Sequence, residues 1–194
     1  MHRTPFAPAR SIVVGVVMGA LFAASAGVAQ AEVLASSPAG FVVRFETAVS
    51  RPPAEVYQRF LQIGQWWSDA HTYSGKALNM TLRNEPGGCF CETLPGGGFV
   101  RHASVEYSDP GKLVRLSGGL GPLQELGAHG VLSFNFMAPT QTANIGTRLV
   151  VSYVVSGFQP DPGFAALAAP VEGVLKEQVE RLKRLTETGN PGTP

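Results

Sequence analysis

The sequence predicts an α+β domain in which one curved, seven-stranded antiparallel sheet carries a long C-terminal helix across its concave face. Two features carry this expectation. The first is a run of short apolar stretches cut by Pro86-Gly87-Gly88, Pro95-Gly96-Gly97-Gly98 and Asp109-Pro110-Gly111, which read as hairpin turns. The second is residues 170–188, where Val171, Val174, Leu175, Val179, Leu182 and Leu185 recur at the three-and-four spacing of a buried stripe. Glu172, Lys176, Glu177, Glu180, Arg181, Lys183, Arg184 and Glu187 fall mostly on the opposite arc. Glu172 with Lys176, Glu177 with Arg181 and Glu180 with Arg184 are acid-before-base pairs four apart, each worth roughly 0.2 to 0.5 kcal/mol on a helix surface. At 1.5 Å per residue such a helix is about 30 Å long, enough to cross a sheet and leave a cavity beneath it.

In chain order, residues 1–31 read as a secretory signal, with Arg3 and Arg10 at a basic start, an apolar run over 12–26, and small residues at Ala29 and Ala31. The run is shorter than the roughly 20 residues that span hydrocarbon, so the expectation is an exported, periplasmic or secreted protein beginning near Glu32 and keeping no membrane anchor. Residues 32–39 are expected to be a flexible N-terminus, 40–188 a single domain and 189–194 a disordered tail. Phe41, Val43, Phe45 and Thr47 alternate with Val42, Arg44 and Glu46 as a half-buried first strand does. Ser50, Pro52 and Pro53 open a helix whose apolar face is Val56, Tyr57, Phe60, Leu61 and Ile63, with Gly64 placed to stop it. Trp66 and Trp67 lead into a second short helix or turn through His71. Strands are expected over 78–84, 89–94, 99–108, 113–118, 131–137 and 148–156. Residues 119–130, too long for a tight turn yet bearing Leu120, Leu123 and Leu126, are expected to form a flap over a cavity mouth.

Of the 15 Lys and Arg residues two lie in the signal segment, leaving thirteen against 14 acidic residues. That balance supplies no electrostatic footprint for nucleic acid or anionic lipid. Both cysteines sit in Cys89-Phe90-Cys91, where the α-carbons of a flat strand lie about 6.6 Å apart, at the far edge of disulfide geometry. A bridge between them therefore needs a bulge, and the expectation is two buried thiols behaving as small hydrophobes.

The order of a strand, two short helices ending at a Trp-Trp pair, six more strands and a long helix resembles the helix-grip fold of the SRPBCC superfamily, which includes START domains, birch-pollen-allergen-like proteins and polyketide cyclases. The resemblance spans residues 41–185, and the nearest branch is similar to activators of a heat-shock ATPase. It is carried by Pro53-x-x-Val56-Tyr57 leading to Trp66-Trp67, by Gly87-Gly88-Cys89-Phe90-Cys91-Glu92, by Pro110-Gly-Lys112-Leu113, by Gly118-Gly-Leu-Gly121-Pro122-Leu123, and by Gln178-x-x-x-Leu182. The resemblance implies an apolar ligand between sheet and helix. It does not choose among carriers, enzymes and co-chaperones, which share this scaffold.

The expected ligand-binding residues are Phe45, Trp66, Trp67, Met80, Leu123, Leu126, Phe134, Phe136, Tyr153, Val171 and Leu175, facing a small apolar or aromatic molecule in a pocket of about 300 to 1,000 Å³. The acid and base groups available for catalysis are Glu92, His102, Tyr153, His71, Glu125 and His129, and they form no recognisable spacing motif. Glu92 and His102 fall on consecutive hairpin strands, where they become an acid and base pair under a low-dielectric roof if both face inward. Cys89, Cys91 and His102 are the candidate ligands of a soft metal, but C-x-C with scattered histidines is not a four-ligand pattern, and no cofactor is expected. Three functions stay open: an exported binding protein or carrier, a cyclase- or hydrolase-type enzyme using Glu92, His102 or Tyr153, and a chaperone cofactor. Export argues against the last, because ATP-driven chaperone cycles belong to the cytoplasm.

Overall fold

The computed structural model describes residues 1–2, 30–139, 146–160 and 162–192. Nearly all of the expected signal segment lies outside the described residues. Eight strands form one sheet in the order β1-β2-β8-β7-β6-β5-β4-β3, every neighbouring pair antiparallel. They are β1 (Gln30–Ser37), β2 (Gly40–Val49), β3 (Met80–Leu82), β4 (Cys89–Thr93), β5 (Phe99–Asp109), β6 (Leu113–Ser117), β7 (His129–Met137) and β8 (Thr147–Ser156). The helices are α1 (Pro53–Leu61), the single turn α2 (Ile63–Trp66) and α3 (Ala168–Thr188), which packs on β1, β2, α1 and α2.

The sheet thus has eight strands where seven were expected. The additional one, β1, occupies most of residues 32–39, the stretch expected to be a flexible N-terminus. Its Ala31 and Val33 pack against the core while Glu32 and Leu34 face out, and it pairs Ala31 with Phe45 and Val33 with Val43. The other seven lie where the alternation puts them. On β2, Phe41, Val43, Phe45, Thr47 and Val49 are buried in strict alternation, and Val43, Phe45 and Val49 face the helical layer's core cluster.

Between β2 and β3 the chain makes two α-helical segments separated by one residue, Gln62, and then two 3-10 turns, Asp69–His71 and Ala77–Asn79. Gly64 does not stop the first helix; it lies inside α2. A Cβ there would come within 2.9 Å of the Ala77 carbonyl oxygen and 3.0 Å of the Met80 carbonyl oxygen, so this glycine permits a close approach of backbones. Trp66 is fully buried and its indole N–H donates to the Phe60 carbonyl at 3.0 Å. Phe60 and Phe134 pack beside it with their ring centroids 4.5 Å apart, and Phe136 packs on Phe60.

On α3 the apolar stripe is as expected over Leu175, Val179, Leu182 and Leu185, all buried. The outer arc is not. Arg181 is buried, its guanidinium donating to the carbonyls of Trp66 at 2.9 Å, Trp67 at 3.4 Å and Gly192 at 3.2 Å. Buried Gln178 accepts the Ser68 N–H at 2.8 Å. The physical reason is the end of α2: helix C-terminal carbonyls have no partner in their own helix, and α3 lies close enough to supply one. Glu177 consequently pairs with His71, Oε2 to Nε2 3.0 Å, and not with Arg181. Arg184 also donates to the Pro191 carbonyl, so the expected loose tail is tied back onto α3 through residue 192. Because these are charge-assisted bonds to buried carbonyls, Arg181→Ala is expected to cost on the order of 2 kcal/mol in chemical denaturation, several times the worth of a surface pair. A loss of only a few tenths would return Arg181 to the solvated arc.

Candidate ligand cavity and its buried acid-base pair

Strand β4 alternates Phe90 and Glu92 inward, both buried, and Cys91 toward the other face. Opposite it, β5 carries one extra residue: Phe90 pairs with Ala103, but Cys91 pairs with Arg101. The unpaired residue is His102. A bulge of this kind breaks alternation and re-aims a side chain, and here His102 and Ala103 are buried in succession. Cys89 and Cys91 are joined by a disulfide with α-carbons 5.4 Å apart. The expectation of two free thiols is therefore wrong, because the irregular pairing at Phe90 and Cys91 draws together two α-carbons that a flat strand holds apart. A bridged pair offers no thiolate, which removes Cys89 and Cys91 from the candidate metal set with His102. Among the described residues no group of three or more His, Cys, Asp or Glu side chains could hold a metal ion.

The bulge delivers His102 to Glu92, Nε2 to Oε2 3.0 Å, with both side chains buried. Glu92 also accepts the backbone N–H groups of Tyr73, at 3.2 Å, and Ser74, at 2.5 Å. Burial pushes the carboxyl up, but hydrogen bonds from Ser74, Tyr73 and His102 outweigh it and hold Glu92 below the ordinary carboxylate value. Burial pushes the His102 ring down, against the raising pull of Glu92, so its net shift is below the ordinary imidazole value. At neutral pH the pair is a carboxylate and a neutral imidazole. Nε2 carries the proton that Glu92 accepts, and Nδ1 is left as a lone-pair acceptor. Tyr73 stacks on the ring at 26° and Phe90 packs against it with centroids 4.8 Å apart.

His102 is the sheet's contribution to a cavity of about 270 Å³. The stretch after α2 supplies Trp67, Ala70, His71, Thr72 and Tyr73; the following wall is Leu120, Gly121 and Pro122; α3 closes it with Val174 and Leu175. Asp69 orders the first of these walls by accepting the Ala77 N–H at 2.7 Å, and Trp67 donates its indole N–H to the His71 carbonyl at 2.8 Å. The helical pins Gln178 and Arg181 hold the same stretch from the other side.

Of the expected ligand-binding residues, Trp67 and Leu175 line this cavity. Phe45, Trp66, Met80, Phe134 and Phe136 are buried core, Leu123 is buried, and Leu126 and Val171 are partly buried against the core, away from the cavity wall. Tyr153 is buried too, and it is not among the residues that line the cavity. Its hydroxyl donates to the Gly118 carbonyl at 2.9 Å and accepts the Leu120 N–H at 3.0 Å, and burial raises it to about 12. It anchors the 119–130 segment, and Gly130 makes room for it, since a Cβ there would meet the ring at 2.4 Å. That segment is further tied by Gln124 to the Arg101 carbonyl and by Gln159 to the Leu126 carbonyl. Glu125 and His129 are exposed. The sequence pattern missed Ala70, Thr72, Tyr73 and Pro122, and proximity to the Trp-Trp pair was the one available pointer to the first three; Leu120, expected on the flap, and Val174, expected on the helix stripe, do line the cavity.

No family model matches the chain and no curated protein matches it in sequence. Solved structures do. A protein of unknown function from Enterococcus faecalis is similar over 83% of this chain and 78% of its own, with TM-score 0.55 and 14% identity. CalU16 from Micromonospora echinospora is similar over 79% of this chain and 78% of its own, with TM-score 0.52 and 13% identity. DynU16, from the dynemicin biosynthetic locus, is similar over 77% of this chain and 48% of its own, with TM-score 0.52 and 18% identity. The chain has the fold of these proteins. At such identities that statement concerns architecture: an α+β layer pair with a long C-terminal helix over an antiparallel sheet.

Proposed function

We propose that this chain is an exported SRPBCC-like protein that binds or carries a small apolar or aromatic molecule in the cavity beneath α3. The supporting observation is the cavity itself, about 270 Å³ and walled by Trp67, Tyr73, Leu120, Pro122, Val174 and Leu175. That volume suits one or two rings. The resemblance to helix-grip proteins points the same way. Among the described residues no helix is long and apolar enough to cross a membrane. Export is tested by the intact mass of the protein from a periplasmic fraction, which should begin at or near Glu32; a full-length chain held in membranes contradicts it.

Binding is tested by calorimetric titration with p-xylene. The wild-type protein is expected to saturate, and Val174→Phe, which fills the cavity from a partly buried position, is expected to fold normally and lose binding at least tenfold. Equal binding by both proteins places the ligand elsewhere.

The inward orientation of Glu92 and His102 favours a second reading, an enzyme of cyclase or hydrolase type in which His102 is the general base and Glu92 orients it. Its test is proton exchange. A base in the cavity moves deuterium from D2O onto the α-carbon of a small aryl ketone such as acetophenone, and His102→Phe abolishes this; exchange at the background rate in the wild type leaves binding as the function.

A further inference from the structure

We infer that the molecule held in the cavity is a hydroxyl donor, a phenol or an enol on a compact aromatic or unsaturated frame, which gives its O–H hydrogen bond to Nδ1 of His102. This rests on the binding reading above and adds the chemical class. Among the side chains lining the cavity, His71 directs Nε2 to Glu177 at the solvent edge, and the Thr72 hydroxyl donates to the Asp69 carbonyl at 2.8 Å. His102 is different: it is 4% exposed, and among the described residues Nδ1 has no hydrogen-bond partner. Nδ1 is not one of the buried unpartnered atoms of the described residues, which are Ser68 Oγ, Asn84 Oδ1 and Arg148 Nε, and the open space that His102 lines is the cavity. The orientation is fixed by Glu92. A carboxylate holding two backbone N–H groups can only accept from Nε2, which leaves Nδ1 as the ring's bare lone pair.

A lone pair in an apolar chamber is satisfied by a donor and repels another acceptor, which disfavours ethers, esters and carboxylates at this point. An imidazole backed by a carboxylate is also a better acceptor than imidazole alone, and it pairs best with an acidic hydroxyl. The flat rings of Trp67 and Tyr73 on the wall select a planar frame for that hydroxyl.

The experiment compares p-cresol with p-xylene, which match in shape and differ by one hydroxyl, using the full mature protein labelled with 15N-histidine. The expected result is that p-cresol shifts the His102 Nδ1 resonance toward a hydrogen-bonded value and p-xylene leaves it in place. His102→Phe is expected to reduce the preference for p-cresol over p-xylene by on the order of tenfold. If both compounds bind and neither moves Nδ1, the hydroxyl assignment fails while the cavity reading stands. If neither compound binds, both fail. The wild-type resonance decides the matter even if the Phe variant does not fold.

Discussion

The Leu182→Ala protein is expected to lose about 2 to 5 kcal/mol of stability, the range for truncating a buried leucine whose surroundings cannot collapse into the gap. Leu182 is 0% exposed at the middle of α3, flanked on the same stripe by Val179 and Leu185. The gap it leaves lies between two rigid layers, because the sheet beneath α3 is hydrogen-bonded on both sides of β2. Lys183→Ala, one residue on and only partly buried, should change the denaturation midpoint little. For a domain of this size each kcal/mol corresponds to a shift of roughly 2 to 4 °C in Tm, so the pair is separable by heat as well as by urea. Equal losses would mean that α3 presents a different face to the sheet.

Glu92→Ala is expected to cost on the order of 3 kcal/mol, because it leaves the His102 Nε2–H and the backbone N–H groups of Tyr73 and Ser74 without their acceptor. The same pair sets an acid sensitivity. His102 is depressed below 6.5 in the folded chain, so the unfolded chain takes up its proton first, and folding weakens as pH falls below about 6.5. Glu92 is depressed below 4.5, so its contribution is complete above that value and is lost as pH falls through the folded-state value beneath it. The two effects have one sign: stability rises with pH across the acid range. Tyr73, the titratable group stacked on the ring, is raised by burial and by Glu125 and Glu92 and stays neutral throughout, while His71 and Glu177 form their own half-exposed pair. Denaturant midpoints taken from pH 7 downward should fall for the wild type and fall less for His102→Gln, which removes the titrating imidazole and one of the bonds that depress Glu92. Parallel curves would show that the pair does not govern acid unfolding.

Periodicity made the framework legible. Alternation over Phe41 to Thr47 and the three-and-four stripe on α3 depend only on which face is buried, and both are visible in composition along the chain. What was not legible depends on departures from periodicity. Strand β1 was hidden because residues 30–37 alternate weakly and adjoin a signal-like segment. Arg181 looked solvated because its partners are the carbonyls at the end of α2, which no side-chain pattern announces. The C-x-C bridge and the inward turn of His102 both belong to one irregularity between β4 and β5, where a single extra residue changes which face a side chain takes. Glu92 and His102 were identifiable as a pair by hairpin position alone. The cavity wall was only half identifiable, since the aromatic residues that seemed surplus to a thin core, Phe45, Phe134 and Phe136, are consumed by the buried core, and much of the true wall comes from the aperiodic stretch after Trp67.

We propose a small planar molecule between α3 and the Glu92–His102 pair. Isotope-filtered NOE spectroscopy of the protein saturated with p-cresol tests it most directly. NOEs from the cresol ring to Trp67, Val174 and Leu175 are expected. Contacts confined to exposed apolar side chains such as Phe99 or Phe158, with none to those three residues, would contradict it.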